Sequence, residues 1–136
     1  MTDLLLAIIT KLKADTAVTA VVGTKIYRRG SVPTNPTAPY IIVSRVDNLR
    51  DTDTNTGRYA HARLQCSAFA STDSVVANVS ELIANSLHRT ANTYLVAGTE
   101  GVYVISVRDA GSTPDENTDI PLYMEHRDFM IVYDYR

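Results

Sequence analysis

The residues whose spacing most resembles a metal site lie between positions 51 and 57. They read DTDTNTG and place oxygen ligands at alternate positions, as a calcium-binding loop does. Such a loop also needs a glycine at its sixth position and a bidentate glutamate at its twelfth, where this chain has threonine and alanine. A solvated hairpin tip is the default interpretation, and a calcium-dependent binding module that uses Asp51, Asp53 and Asn55 is one alternative.

Residues that could act as acid, base or nucleophile are scattered along the chain. The three histidines lie on three different predicted elements and share no metal-ligand spacing. Cys66 falls on the apolar face of a predicted strand, where a thiol behaves as a small buried hydrophobe. In the run 125–128 (EHRD), neighbouring side chains point to opposite faces of a strand. The sequence therefore predicts no catalytic site, metal or cofactor, although a small enzyme using His126, Asp128 and an arginine is a second alternative.

Arginine and tyrosine are the residue types that best suggest a protein interface. Arginine supplies ten of the thirteen basic residues, and most tyrosines lie on or beside predicted strands. These side chains can equally cover the solvent face of a sheet, so both interpretations stay open. The residues predicted for an interface or for the lumen of an assembly are Asp51, Asp53, Arg58, Tyr27, Arg28, Tyr40, Tyr59, Arg63 and Tyr133.

Composition narrows the class of protein. The chain has 136 residues, is 45% hydrophobic and carries a formal charge of −2, which predicts a single globular domain over 1–136. One cysteine excludes an internal disulfide, and the balanced charge argues against a protein that grips nucleic acid. The N-terminal apolar run is short and lacks a basic start, so we expect neither a signal peptide nor contact with a membrane.

Hydrophobic periodicity positions these residues on helices and strands. Apolar stripes predict a helix over 3–14, a short second helix that ends near Gly23, and a main helix over 73–89. An extended segment starts at Ile26. Strands are predicted over 40–46, 58–69, 93–97, 102–108 and 122–135, with polar loops over 47–57 and 109–121.

The order of these elements predicts the fold class. Two strands joined by the loop 47–57 form an antiparallel hairpin, and the main helix follows the second of them. Helices that precede and interrupt a set of strands, without a regular alternation, are typical of α+β domains. We therefore expect a mostly antiparallel sheet with the N-terminal helix and the main helix packed on one face.

The ordered pattern resembles a family of bacteriophage proteins. The residues that carry the resemblance are 6–15 (LAIITKLKAD), 18–27 (VTAVVGTKIY), 38–43 (APYIIV) and 67–70 (SAFA), followed by the apolar stripe of the main helix and the strand after the acidic loop. In this order and spacing they are similar to the tail terminator, or tail completion, proteins of long-tailed phages and prophages. The resemblance covers almost the whole chain.

The resemblance implies a structural virion protein of a siphovirus-type tail. It implies a homo-oligomeric ring, expected to be a hexamer, which caps the head-proximal end of the tail tube and stops tube polymerisation. The implied partners are the major tail tube protein and a head-completion or connector protein, with DNA only as passing cargo. The implied location is the tail–neck junction of a virion assembled in the host cytoplasm. Another neck component, a connector or stopper, is the nearest alternative, and gene position would separate the two.

Overall fold

The structure, a computed structural model, describes residues 4–34, 36–50, 59–89, 93–97, 100–117 and 122–134. At positions 47–50, 59–60, 93–97, 100–117 and 134 it describes the backbone alone. Within these ranges the elements are α1 (Leu4–Ala14), α2 (Thr16–Val22), β1 (Ile26–Arg28), β2 (Tyr40–Arg50), β3 (Tyr59–Ala70), α3 (Asp73–His88), β4 (Thr93–Ala97), β5 (Glu100–Asn117) and β6 (Leu122–Asp134).

The described strands form one six-stranded sheet in the order β1-β2-β3-β6-β5-β4. Strand β1 runs parallel to β2, whereas the other neighbouring pairs are antiparallel. The central pair β3–β6 extends from Tyr59 opposite Asp134 to Ala70 opposite Tyr123. The α+β class, the mostly antiparallel sheet and the β2–β3 hairpin are thus confirmed.

Helices α1 and α3 pack against the same face of the sheet. Ile8 and Leu12 of α1, and Ile83 and Leu87 of α3, are each fully buried at a spacing of four residues, so one stripe of each helix faces the core. These side chains join Leu64 of β3 in one cluster of buried residues. Because each such burial contributes about 1.5–3 kcal/mol, packing holds the two helices on this face.

Polar side chains and one glycine set the limits of the helices. The Asp15 carboxylate accepts a hydrogen bond of 3.0 Å from the Ala17 amide and starts α2. The Thr72 hydroxyl accepts one of 3.4 Å from the Val75 amide and starts α3. Gly23 has φ of 63°, a conformation that costs other residues more, and it ends α2 as predicted.

Asp15 also joins α2 to the end of α3. Its carboxylate lies 2.7 Å from the Arg89 guanidinium, which follows the last residue of α3. Burial by itself raises the pKa of the Asp15 carboxyl. The Ser86 hydroxyl, the Ala17 amide and the Arg89 guanidinium outweigh that effect and lower this pKa below its ordinary value of 3.8.

We predict that Asp15→Ala lowers the free energy of unfolding by about 1–2 kcal/mol near neutral pH, because it removes the cap and the ion pair. A carboxyl with a depressed folded pKa stabilises the fold above its unfolded pKa, and this stabilisation fades as the pH falls through the folded pKa. Asp15→Asn keeps a side-chain oxygen that can cap α2, so it should lose mainly the stabilisation that depends on the carboxylate charge. Urea unfolding measured at a series of acidic pH values checks this. If the free energy of unfolding falls equally steeply with decreasing pH in the wild type and in Asp15→Asn, the prediction is contradicted.

Two predicted loops are in part strand. The predicted loop 109–121 is wrong over 109–117, which continue β5 and pair with β6 from Asp109 opposite Phe129 to Asn117 opposite Leu122. The predicted loop 47–57 is wrong over 47–50, which continue β2 opposite β3. In both places, hydrogen bonding to a long neighbouring strand outweighs local turn propensity. Positions 51–57 and 118–121 lie outside the described residues.

Candidate interaction surface

The sheet presents a second face, opposite α1 and α3, which we call the helix-free face. Along β3 and β6 its residues alternate with core residues, because successive strand residues point to opposite sides. Ala62, Leu64, Cys66 and Ala68 are buried on the helix side, as the sequence predicts. The described residues between them, and their register partners, form the helix-free face: His61, Arg63, Gln65, Ser67 and Phe69 of β3, with Met124, His126, Asp128, Met130 and Val132 of β6.

Three aromatic rings pack together at one end of the helix-free face. The Tyr40 ring stacks on Phe69 with 4.7 Å between centroids and an interplanar angle of 11°. The Tyr27 ring lies 6.2 Å from that of Tyr40 at 51°. Tyr40 is only 7% exposed, and burial, followed by the proximity of Tyr27, raises its pKa. Tyr27 and Phe69, both half-buried, are the members that retain surface for a contact.

Two polar pairs lie further along the same face. The Ser67 hydroxyl and Nδ1 of His126 are 2.7 Å apart, and a guanidinium nitrogen of Arg63 lies 2.8 Å from Oδ2 of Asp128. Each pair joins β3 to β6. His126 and Asp128, the residues of the enzyme alternative, thus share a face but engage different β3 side chains.

Arg127 points to the other side of β6 and binds α3. It donates a hydrogen bond of 3.1 Å to the Ser80 carbonyl, and it lies 3.4 Å from the Glu81 carboxylate. The alternation predicted for the run 125–128 is therefore observed. Arg127 contacts α3, whereas His126 and Asp128 lie on the helix-free face.

The remaining predicted site residues have different positions. Tyr133 is 5% exposed and belongs to the core, since it lies on the helix side of β6 with Phe129 and Ile131. Arg28 is exposed at the end of β1. The backbone of Tyr59 opens β3, whereas Asp51, Asp53 and Arg58 lie outside the described residues, as does Asn55 of the calcium alternative.

Cys66 provides a direct test of strand orientation. Its side chain is buried on the helix side, and burial, with a smaller contribution from the Asp128 charge, raises its pKa to about 12. We predict that a thiol reagent at mildly alkaline pH labels the native protein at least about 100-fold more slowly than the urea-unfolded protein. With an aromatic disulfide as the reagent, each reaction releases one coloured thiolate. Because the chain has one cysteine, the absorbance of that thiolate reports this site alone. Equal rates would contradict the burial.

No group of three histidine, cysteine, aspartate or glutamate side chains within the described ranges is arranged to hold a metal ion. Among the helices that the structure describes, none combines the length and apolar character that a bilayer crossing requires.

The sheet, with helices on one face and aromatic and charged side chains across the other, defines an α+β domain. The chain belongs to the family described as Tail completion protein gp17, whose model matches residues 6–134. It is therefore a structural protein of phage tails, and a virion component, rather than an enzyme.

Solved structures share the fold at low sequence identity. A chain from the virion of a native gene transfer agent particle is 16% identical, with a TM-score of 0.77, over 96% of this chain and 94% of that one. A second solved chain is 14% identical, with a TM-score of 0.54, over 100% of this chain and 98% of its own length. No protein of curated function matches this chain in sequence.

Sequence reasoning missed the pairings that cross strands. The contacts of Tyr40 with Phe69 and of Ser67 with His126 join residues 29 and 59 positions apart, and depend on strand register.

Proposed function

We propose that the chain assembles into a ring, expected to be a hexamer, at the head-proximal end of the tail tube. The ring stops further tube polymerisation and offers the surface on which the head joins. The family match over residues 6–134 carries this proposal, since completing a tail requires both that growth ends and that the end is prepared for the head.

The proposed neighbours are the major tail tube protein on one side and a head-completion or connector protein on the other. The proposed location is the tail–neck junction of a siphovirus-type virion, assembled in the host cytoplasm. The fold shared with a chain of a gene transfer agent virion supports a place in a particle of this general kind.

The mechanism is surface complementarity. One side of the ring matches the last ring of tube subunits, and the opposite side does not repeat the tube surface, so no further subunit is added. A contact between two different surfaces of the same chain gives a closed ring when its rotation closes, and a filament when it does not. On the helix-free face, Tyr27 and Arg63 are candidates for such contacts because they combine exposed area with an apolar body.

DNA must pass through the ring without binding tightly. We propose that the β2–β3 connection, with Asp51, Asp53 and Arg58, faces the lumen, because carboxylates repel the phosphate backbone. The ring then guides DNA as cargo and contributes no sequence readout.

A tube-growth assay tests the function. Purified tube protein polymerises with and without this protein, and tube lengths and ends are measured by negative-stain electron microscopy. When the protein is present from the start, we expect tubes that are shorter and that carry a cap at one end. Added after growth has finished, it should mark the same end without changing length.

The order of addition is the internal control, because a protein that merely sequesters tube subunits would leave finished tubes unmarked. Tubes of unchanged length with bare ends would overturn the capping role. Binding to a head connector, with no effect on tube length, would point instead to a neck connector.

A further inference from the structure

One row of side chains on the helix-free face follows β1. The Ile41 amide donates to the Lys25 carbonyl at 3.0 Å, which extends the ladder between β1 and β2 by one residue before β1. The Arg29 amide donates to the Val43 carbonyl at 3.0 Å, which extends it by one residue after β1. Side chains at every second position of such a ladder share one face. Lys25 and Arg29 therefore lie on the same face as Tyr27, one on each side of it, and we call these three residues the basic row.

A row of opposite charge follows α3, which packs on the other side of the sheet. Asp73, Ala77 and Glu81 recur at a spacing of four residues and are exposed, so they lie along the side of α3 that faces away from the sheet. We call these three residues the acidic row. Asp73 and the two cations of the basic row have no ion pair among the described side chains. Glu81 lies 3.4 Å from Arg127 and keeps 66% of its side chain exposed, so both rows can take up charges of a partner.

The two rows have nearly the same spacing. Each cation is two strand residues from Tyr27, which is a distance of about 6.6 Å along the strand. Each carboxylate is four helix residues from Ala77, which is a distance of about 6 Å along the helix. When the rows face each other, both ion pairs and the contact between Tyr27 and Ala77 can therefore form together, and the small alanine leaves room for the tyrosine ring.

The directions of the two rows agree as well. Helix α3 starts after the end of β3 and leads to β4, which pairs with β5 at the level where β3 begins, so α3 runs in the same direction as β1 and β2. Both rows start at the level where β3 ends, because Lys25 bonds to Ile41 and Ile41 lies opposite Ala68. Two copies in the same orientation, with the helix-free face of one against α3 of the next, therefore match the rows end to end.

We infer that the basic row of one copy docks against the acidic row of the next copy, with its two cations on the two carboxylates and Tyr27 over Ala77. The inference rests on the proposed ring and names the surfaces that join its subunits. Because the rows lie on opposite sides of the same molecule, the contact repeats from copy to copy and gives a ring when its rotation closes. Two rows of one kind would oppose like charges, which is strongly unfavourable.

The basic row fits a protein partner better than a nucleic acid. A DNA duplex carries one charge for about every 1.7 Å, and proteins that bind it present many cations. The basic row has two, with the half-buried Tyr27 between them and the half-buried Ile42 and Phe69 on the neighbouring strands of the same face. Arginine and aromatic side chains beside apolar surface are typical of protein interfaces.

Charge reversal tests the contact. Lys25→Glu with Arg29→Glu makes both rows acidic, and Asp73→Lys with Glu81→Lys makes both rows basic. Assembly is followed by sedimentation and electron microscopy with the tube protein present. We expect each double variant alone to need at least about 10-fold more protein to form rings. The chain with all four changes, in which the charges of the rows are exchanged, should assemble as the wild type does, and so should an equal mixture of the two double variants.

Two further variants serve as controls for charge and for shape. Lys11→Glu with Lys13→Glu, the same change in charge placed on α1, should leave assembly unchanged. Ala77→Phe changes no charge at an exposed position of α3, so it should leave the melting temperature unchanged, but it fills the place of the Tyr27 ring and should impair assembly at least about 10-fold. Thermal melting shows that each variant is folded, and recovery of assembly in the chain with four changes excludes a folding defect as the cause.

The outcomes separate the contact from the ring. If the wild type forms rings and the row variants do so equally well, the contact is wrong while the ring stands. If Lys25→Glu with Arg29→Glu still assembles but no longer binds a short DNA duplex, the basic row binds nucleic acid and the contact is wrong. A wild type that neither assembles nor caps tubes overturns the proposed function, and the contact with it.

Discussion

Replacing Phe129 by alanine is expected to lower the free energy of unfolding by about 3–5 kcal/mol. Phe129 is the largest side chain of the described core that is completely buried, and it lies opposite Leu64 where β6 meets β3 beneath the helices. Alanine there removes the apolar contact and leaves a cavity that close-packed neighbours fill only in part. Since domains of this size are stable by about 5–15 kcal/mol, such a loss removes a large share of the total.

Met130→Ala is the matched control for Phe129→Ala. Met130 is the next residue on β6, but it lies half-buried on the helix-free face. Its truncation should cost clearly less, about 1 kcal/mol. Urea unfolding followed by far-UV circular dichroism measures both. Equal losses would mean that the two faces of β6 do not differ in burial as described, and a loss at Met130 alone would reverse the assignment of the faces.

Replacing Arg127 by methionine is expected to lower the free energy of unfolding by about 1.5–3 kcal/mol, the range for hydrogen bonds that involve a charged group. The Arg127 side chain is 14% exposed and donates to the Ser80 carbonyl within α3. Methionine keeps much of the apolar stem but cannot donate to that carbonyl. The attachment of α3 to the sheet is therefore weakened at its middle.

The Glu81 contact separates two explanations for the Arg127 effect. Glu81 is 66% exposed, so its ion pair with Arg127 is screened by water, and Glu81→Gln should cost less than about 1 kcal/mol. If Glu81→Gln is as destabilising as Arg127→Met, then the ion pair rather than the bond to the helix carbonyl attaches α3. Hydrogen exchange of the α3 amides, compared between the two variants, shows which attachment is lost.

Much of the fold follows from short-range pattern. The alternation over 58–69 predicts both the strand and its buried side, because the apolar residues recur at every second position and therefore share one face. The stripe from Val76 to Leu87 likewise predicts α3 and the side it buries. In these segments local propensity and tertiary packing agree.

Local propensity fails to predict the structure of a segment where pairing with a long neighbouring strand determines it. Gly111 and Pro114 indicate a loop, yet both lie in β5, opposite Asp128 and Glu125 of β6. Pro114 lacks an amide hydrogen, and a strand without a partner on its outer side is where proline is tolerated. At the register shift between Asp109 and Gly111, β5 contains one more residue than the paired stretch of β6.

The candidate site was less accessible to sequence reasoning. Tyr133 and Val132 are adjacent residues of a strand that is apolar on both sides, so alternation cannot tell which one is buried. The structure assigns Tyr133 to the core.

The most direct test of the capping role is tail length in particles made without the protein. A phage or prophage that carries this chain, with its gene disrupted, is induced, and tails are measured by electron microscopy beside a complemented strain. We expect headless tails with abnormally long, heterogeneous tubes, restored to one length by the wild-type chain. Headless tails of normal, uniform length in the disrupted strain would contradict the claim that this protein stops tube growth.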